Sequence, residues 1–121
     1  DGPQLRRLEA RQVANHFPGS YGVGRKDYLW RNISRMQREH PKEYDFCAKS
    51  YLLPGDRDAL ERDFYADSDS PVWIVKPPAS AEGRGIRLIG RREALPARDR
   101  AAVVQRYIAD PLLIDGFKFD L

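Results

Sequence analysis

The chain has 121 residues, the size of one small domain or of part of a larger one. Hydrophobic residues make up 41% and charged residues 32% of it, which excludes a wholly disordered chain and a membrane-embedded one. The formal net charge of +3 is too small to indicate a nucleic-acid-binding protein. No apolar stretch approaches the roughly 20 residues of a membrane-spanning helix, and the single cysteine, Cys47, excludes an internal disulfide. We therefore expect a soluble protein of the cytoplasm that binds neither membranes nor nucleic acid.

The charge is unevenly distributed along the chain. Residues 1–50 hold ten Lys and Arg against six Asp and Glu, a net of +4, and residues 71–121 hold nine against six, a net of +3. Between them, residues 51–70 hold two against six, a net of −4. This pattern fits an ordinary solvated surface, and it fits equally a surface that faces an anionic partner such as a nucleotide, a nucleic acid or an acidic protein tail.

Hydrophobic spacing and turn residues predict two helices and one strand in the first half of the chain. Leu29, Ile33 and Met36 form one apolar stripe at helical spacing, and Pro41 follows it, where the residue before proline disfavours helical backbone. Asp56 is placed to cap a second helix. The predicted elements are a helical or flexible lead-in over 1–14, a loop over 15–22, a helix over 25–39, a strand over 50–53 and a helix over 57–65.

From residue 71 onward the chain is rich in strand signals. Residues 72–75 are a continuous run of β-forming side chains, which predicts a strand buried on both faces. Asp115-Gly116 is a dipeptide typical of tight hairpin turns. Further strands are predicted over 86–89, 103–108, 112–114 and 117–121. Because the sequence stops inside the last of these, we expect the natural chain to continue past Leu121.

The clearest candidate for chemistry is Lys76, which ends a predicted strand and precedes a loop that contains Gly83 and Gly85. Glycine permits positive φ and close backbone approach, so such a loop can turn its N–H groups toward a phosphate while the lysine supplies a point charge. A flexible hairpin loop beside a lysine with a buried stem explains the pattern equally well. The lysine precedes the loop, which argues against a protein kinase, and the P-loop pattern is absent from the sequence.

Two further clusters are candidates for a nucleotide pocket. Residues 105–108 lie on a predicted strand, whose edge can bind an adenine ring, although a core strand with alternating faces gives the same pattern. In the segment Lys118-Phe119-Asp120, alternation puts the lysine and the carboxylate on one strand face. The two side chains either form an ordinary ion pair or bind the phosphate and the ribose of a nucleotide.

Other polar residues give weaker signals. His16 and His40 have no third ligand at metal spacing, so we expect surface or packing histidines. We expect Cys47 to be a small buried side chain, because a free cysteine packs like a small hydrophobic residue. The charged residues over 25–27, before the first long helix, are either a solvated helix start or an anion-binding patch.

Several ordered segments together resemble the tubulin–tyrosine ligase-like family, in its glutamate-ligase branch. The similarity runs from about Asn15 to the end of the chain. The segments that carry it are NHFPG at 15–19, GRKD at 24–27, RNISRMQ at 31–37, WIVKPPAS at 73–80, GRGI at 83–86, QRYI at 105–108 and PLLIDGFKFDL at 111–121.

This resemblance implies an α/β fold of the ATP-grasp type, in which ATP lies between two lobes. It divides the chain into a lead-in over 1–14, an N-terminal α/β lobe over 15–70 and the start of a nucleotide-binding lobe over 71–121. It implies a ligase that uses ATP and magnesium to activate a carboxylate of an acidic protein tail, usually that of tubulin, as an acyl-phosphate. The amine of free glutamate then attacks and forms an amide. The corresponding expectation is a monomer in the cytoplasm, on microtubules, with the cilium or basal body as the family location.

By position, the resemblance also assigns site residues. Lys76 would contact the ATP phosphates, and Glu82 and Gly83 would lie in the loop that covers them. The position of Glu82 is commonly arginine in glutamylating relatives and contacts the acceptor glutamate, and a carboxylate there would repel an acceptor carboxylate. The remaining assigned residues are Gln105, Arg106, Tyr107 and Ile108 on the adenine side, with Lys118, Phe119 and Asp120 completing the pocket.

The resemblance places other functional residues beyond the sequence. In the family, an arginine that engages the amino-acid substrate follows the segment matched at 119–121, and the magnesium-binding Asp, Glu and Asn lie further downstream. We therefore expect that these 121 residues alone neither ligate glutamate nor hold magnesium normally. The alternative function is a non-catalytic remnant that binds tubulin or microtubules through its basic helix face.

Overall fold

A computed structural model describes residues 8–13, 15, 17–66, 71–80 and 82–119 of the chain. It contains helices α1 (Tyr21–Gly24), α2 (Lys26–Glu39) and α3 (Arg57–Ala66), and strands β1 (Ser50–Leu53), β2 (Trp73–Lys76), β3 (Arg87–Ile89) and β4 (Ala102–Arg106). These elements form a mixed α/β arrangement around one antiparallel sheet.

The strands lie in the order β1-β4-β2-β3, so β4 is an inner strand. On β4, Val104 pairs with Tyr51 of β1 on one side and with Val75 of β2 on the other. The sheet thus takes β1 from residues 15–70 and its other strands from residues 71–121. The division of these two segments into separate lobes stays a prediction.

The two faces of the sheet have different roles because side chains alternate along each strand. One face packs against Leu60 and Phe64 of α3 and forms the hydrophobic core. The sheet and loop residues of that core are Tyr51, Leu53, Trp73, Val75, Ile89, Leu95, Ala102 and Val104. The opposite face carries the polar side chains of Ser50, Lys76 and Gln105 and lies against α2.

The helix predicted over 25–39 is confirmed as α2 (Lys26–Glu39). Ile33, at the centre of its apolar stripe, is 8% exposed, and Asp27 in the first turn favours the positive end of the helix dipole. The backbone N–H of His40 donates the closing hydrogen bond to the Met36 carbonyl at 2.7 Å, and Pro41 follows. The strand over 50–53 and the helix after Asp56 are confirmed as well.

Two predicted strands are confirmed as β2 and β4, but the burial of the first and the end of the second are wrong. On β2, Trp73 and Val75 are buried but Ile74 and Lys76 are only partly so, because one face of this strand borders a cleft rather than the core. The strand predicted over 103–108 ends at Arg106, so the last two of those residues follow β4 rather than belonging to it.

Predictions near the two ends of the described chain need correction too. The loop predicted over 15–22 runs into α1 (Tyr21–Gly24), whereas residues 1–7, 14 and 16 lie outside the described part. The Asp115-Gly116 turn is confirmed, with φ of 51° and 84° at its two residues. Its predicted flanking strands are reduced to one isolated bridge between Ile114 and Phe117, and residues 120 and 121 are not described.

Candidate functional site

The register between β2 and β4 brings Lys76 and Gln105 together. Lys76 lies opposite Val103, and Ile74 lies opposite Gln105, so Lys76 and Gln105 are diagonal neighbours on one face. The Lys76 Nζ donates a hydrogen bond of 2.7 Å to Gln105 Oε1. The last residue of β2 is therefore tied to the inner strand of the sheet.

Gln105 is itself held from the side of β1. Its Nε2 donates to Ser50 Oγ at 2.9 Å and to the Ala48 carbonyl at 3.4 Å. The Ser50 hydroxyl, 5% exposed as a residue, donates to the same carbonyl at 2.8 Å. Because both acceptors lie on the β1 side, the amide oxygen of Gln105 faces Lys76.

Three lysines converge at this point. The pKa of Lys76 is lowered, first by burial of its ammonium group and then by the positive charges of Lys26 and Lys118. The Lys26 Nζ donates to the backbone carbonyl of Ser80, which connects α2 to the loop after β2. Such a cluster of cations is stabilised by any anion that enters it.

Two clefts meet at Lys76 and Gln105, which line both of them. The first cleft, of about 130 Å³, lies under α2 and is lined by Lys26, Leu29, Trp30, Ile33, Cys47, Ser50, Lys76, Val103 and Gln105. The second cleft, of about 220 Å³, is lined by Ile74, Lys76, Gln105, Arg106, Tyr107, Ile108, Pro111 and Lys118. Together they offer a cationic centre with apolar walls on either side.

The structure brings together most of the site residues expected from the sequence. Those that line the second cleft are Lys76, Gln105, Arg106, Tyr107, Ile108 and Lys118. Glu82 and Gly83 are exposed on the loop after β2, away from the lining of both clefts. Phe119 is partly buried next to Lys118, and Asp120 lies outside the described residues.

The loop after β2 takes a shape that depends on glycine. Glu82, Gly83 and Gly85 all have positive φ, at 56°, 70° and 72°. A Cβ atom on Gly85 would lie 2.9 Å from Cγ of Pro77, so a side chain there would meet a rigid ring. The Glu82 carboxylate accepts a hydrogen bond of 2.6 Å from Arg84 Nη2 at the exposed tip. The carboxylate that replaces the expected arginine is thus paired within its own loop.

The sequence left two alternatives for the charged residues at the start of α2, a solvated helix start and an anion-binding patch, and the structure supports each of them for a different residue. Arg25 pairs with Asp27 at 2.9 Å and lies 5.0 Å from the centre of the Tyr28 ring, as at a solvated helix start. Lys26 instead reaches the first cleft. The sequence left Lys26 open as part of an anion-binding patch and did not single out Ser50, because only the packing of α2 and β1 against β4 places these two residues beside Lys76.

Metal binding and membrane insertion find no support in the described part of the chain. No three His, Cys, Asp or Glu side chains converge there as ligands for a metal ion. Within the same residues, none of the helices has the length and apolar character needed to cross a bilayer. Cys47 is a half-buried free thiol in the first cleft, and burial raises its pKa.

The chain is similar to known proteins over nearly its whole length. The model of the tubulin-tyrosine ligase family matches residues 5–121. The chain is 51% identical over 120 residues to tubulin monoglutamylase TTLL4 of Homo sapiens, which covers 98% of the chain and 10% of that protein. It is 42% identical over 118 residues to a probable beta-tubulin polyglutamylase of Tetrahymena thermophila and to tubulin polyglutamylase TTLL5 of Homo sapiens. Each of those matches covers 97% of the chain, against 10% and 9% of the two proteins, so the chain spans about a tenth of the length of these relatives. It belongs to the tubulin-tyrosine ligase family.

Proposed function

We propose that this chain is the nucleotide-binding part of an ATP-dependent ligase that attaches glutamate to an acidic protein tail. The observation that carries the proposal is that Lys76, bonded to the neutral side chain of Gln105, shares one cleft with Lys26 and the other with Lys118. The names of the relatives, tubulin monoglutamylase and tubulin polyglutamylase, support tubulin as the protein substrate and glutamate as the added group.

In this proposal the two clefts hold different parts of ATP. The lysine ammonium groups hold the phosphates, because each gains from a negative charge that offsets its repulsion by the other two. Ile74, Tyr107 and Ile108 provide apolar surface for the adenine ring in the second cleft. Each cleft is smaller than the roughly 300 Å³ at the low end of ligand pockets, so ATP would have to extend across the residues that the two clefts share.

The chemistry requires ATP because a carboxylate resists attack by an amine. Transfer of the terminal phosphoryl group to a carboxylate oxygen makes that oxygen a good leaving group, and the amine of glutamate then displaces phosphate. Lys76 and its two lysine neighbours would neutralise the phosphate oxygens and hold them in place. We further propose an ATP-grasp arrangement and a monomeric enzyme in the cytoplasm that acts on microtubules.

The described residues do not fit magnesium. The polar side chains that line the clefts are lysine, arginine, glutamine, serine, tyrosine and cysteine, whereas magnesium prefers carboxylate and phosphate oxygens. We therefore assign no step to a metal held by these side chains.

Nucleotide binding tests the proposal directly. Isothermal titration with ATP should give a saturable signal, and Lys76→Gln should weaken the affinity by about tenfold or more, since a charge-assisted hydrogen bond to phosphate is lost. The matched control is Lys42→Gln, which removes the same charge from an exposed position after α2. Absence of ATP binding, or an equal effect of both variants, would contradict the proposed function.

A further inference from the structure

A concave surface distinct from both clefts lies between α2 and the turn that follows β1. Its volume is about 400 Å³. We call it the arginine groove, and it is lined by Trp30, Arg31, Ser34, Arg38, Leu52, Leu53, Pro54, Gly55 and Asp56. The nucleotide site described above does not use its arginines.

The positive charge of the groove comes from one face of α2. Arg31, Ser34 and Arg38 are spaced by three and four residues, so they lie along a single stripe of the helix. Both arginines are exposed, and the Arg31 guanidinium lies 5.7 Å from the centre of the Tyr28 ring, a contact that leaves its charge unneutralised. Seven residues of helix separate them by about 10 Å along the axis.

That separation suits an extended peptide. Side chains on one face of an extended chain lie about 7 Å apart at every second residue and about 13 Å apart at every fourth, so two carboxylates on one face can each be reached by one of the long arginine side chains. Guanidinium groups bind carboxylates with two parallel hydrogen bonds. The opposite wall offers Leu52 and Pro54 to the methylene groups of glutamate side chains.

Asp56 is the acidic residue in the groove, and it is already engaged. Its carboxylate accepts a hydrogen bond of 2.7 Å from the backbone N–H of Leu52. The two arginines therefore outnumber the one carboxylate of the lining, and the groove keeps a positive charge.

The groove borders the nucleotide site at one residue. Trp30 lines both the arginine groove and the first cleft, where Lys26 and Lys76 lie. A peptide in the groove would thus contact a side chain that also lines the nucleotide site.

We propose that the arginine groove binds a glutamate-rich peptide, the acidic tail that the ligase modifies. The identity of this peptide as the substrate rests on the proposed function, but binding in the groove requires no ATP. The two proposals can therefore fail separately.

The test uses the purified chain and a fluorescein-labelled oligo-glutamate peptide, with fluorescence anisotropy as the readout and no nucleotide present. Arg31→Gln combined with Arg38→Gln should weaken binding by about tenfold, because two carboxylate contacts are lost. The matched control is Arg35→Gln combined with Arg62→Gln, which removes the same charge from exposed positions outside the lining of the groove, and should weaken binding by less than about threefold.

A measurement on the unaltered chain guards against a variant that does not fold. In an NMR titration with the same peptide, the indole N–H of Trp30 should shift, while that of the buried Trp73 should not. The proposal that the groove binds this peptide would be contradicted by any of three results. These are equal weakening by the two double variants, no binding of oligo-glutamate, or an unchanged Trp30 signal. Loss of ATP binding with peptide binding intact would instead contradict the nucleotide site alone.

Discussion

Lys76 and Gln105 lie 29 positions apart and are joined across β2 and β4 by a hydrogen bond of 2.7 Å. The partner of the lysine is neutral, so the bond orients the ammonium group without cancelling its charge. Ser50 and the Ala48 carbonyl hold the other end of the glutamine amide. The arrangement therefore presents an oriented, uncompensated cation to the clefts.

Replacing this neutral partner by a charged one should weaken anion binding. Gln105→Glu puts a carboxylate within hydrogen-bond distance of the lysine, which should raise the pKa of Lys76 and compete with phosphate for it. We expect ATP affinity to fall by about tenfold. NMR titration of the Lys76 side chain and isothermal titration with ATP measure the two effects.

The control for this variant is Gln37→Glu, since Gln37 donates to the Tyr44 carbonyl away from the clefts. It should leave both the pKa of Lys76 and the ATP affinity unchanged. An unaltered pKa of Lys76 in the Gln105→Glu variant would show that the pair is not formed in solution.

Removing the charge of Lys76 should stabilise the fold at neutral pH. Burial and the two neighbouring lysines lower the pKa of Lys76 below its ordinary value of 10.5, so the unfolded chain binds more protons than the folded one in the range below that value. The free energy of unfolding of the wild-type chain therefore rises with pH through this range. Lys76→Met should gain less than about 1 kcal/mol at neutral pH, because the side chain is half exposed and screened, and the gain should shrink as pH approaches 10.5.

Urea denaturation at several pH values measures this difference, with Lys42→Met as the control at an exposed position. A Lys76→Met variant that is less stable than the wild type at neutral pH would mean that the hydrogen bond to Gln105 outweighs the burial cost.

The loop after β2 should tolerate no side chain at Gly85. Its φ of +72° and the approach of Pro77 Cγ to 2.9 Å from an added Cβ predict that Gly85→Ala costs about 1–3 kcal/mol. Gly24→Ala, in α1 with open space at the Cβ position, should instead be neutral or stabilise by up to about 1 kcal/mol. Thermal unfolding of the two variants distinguishes them, and a stable Gly85→Ala would contradict the described loop.

The face of the sheet under α3 should carry most of the stability. Phe64 is 2% exposed and lies 6.4 Å, ring centre to ring centre, from Trp73. Phe64→Ala should cost about 3–5 kcal/mol through lost burial and a cavity. Tyr65→Ala, one residue along but 53% exposed, should cost less than about 1 kcal/mol. Chemical denaturation measures the free energy of unfolding of both variants. A similar loss of stability in the two would contradict the position of Phe64 in the core.

Local patterns in the sequence were sufficient for most of the elements. The apolar stripe of Leu29, Ile33 and Met36 predicted α2, and the β-forming run at 72–75 predicted β2, because both signals depend on near neighbours. The pairing of strands depends on distant residues instead. The order β1-β4-β2-β3 and the one-sided burial of β2 were therefore beyond local patterns.

For the candidate site, too, local sequence patterns predicted some residues, whereas others depend on contacts between distant parts of the chain. Lys76 and the segment 105–108 were identified from their own sequence motifs, and the structure places them at one cleft. Ser50 gave no signal, since a serine at the start of a strand is ordinary until its partner Gln105 is known. Lys26 stood in a charged run that fits a solvated helix start, and only the packing of α2 on the sheet brings it to the lysine cluster.

The inner position of β4 has a consequence for synthesis of the chain on the ribosome. Ser50 of β1 contacts Gln105 of β4 across 55 positions, and closing so long a loop is slow. Until residues 102–106 have emerged, β1 has no paired strand among the described residues, and the apolar side chains of Tyr51 and Leu53 lack much of their covering. A nascent chain that stalls earlier would thus expose an unpaired strand edge, which can pair with other chains and aggregate or be bound by a chaperone. An expression boundary drawn before Ala102 would leave β1 separated from the β2–β3 hairpin.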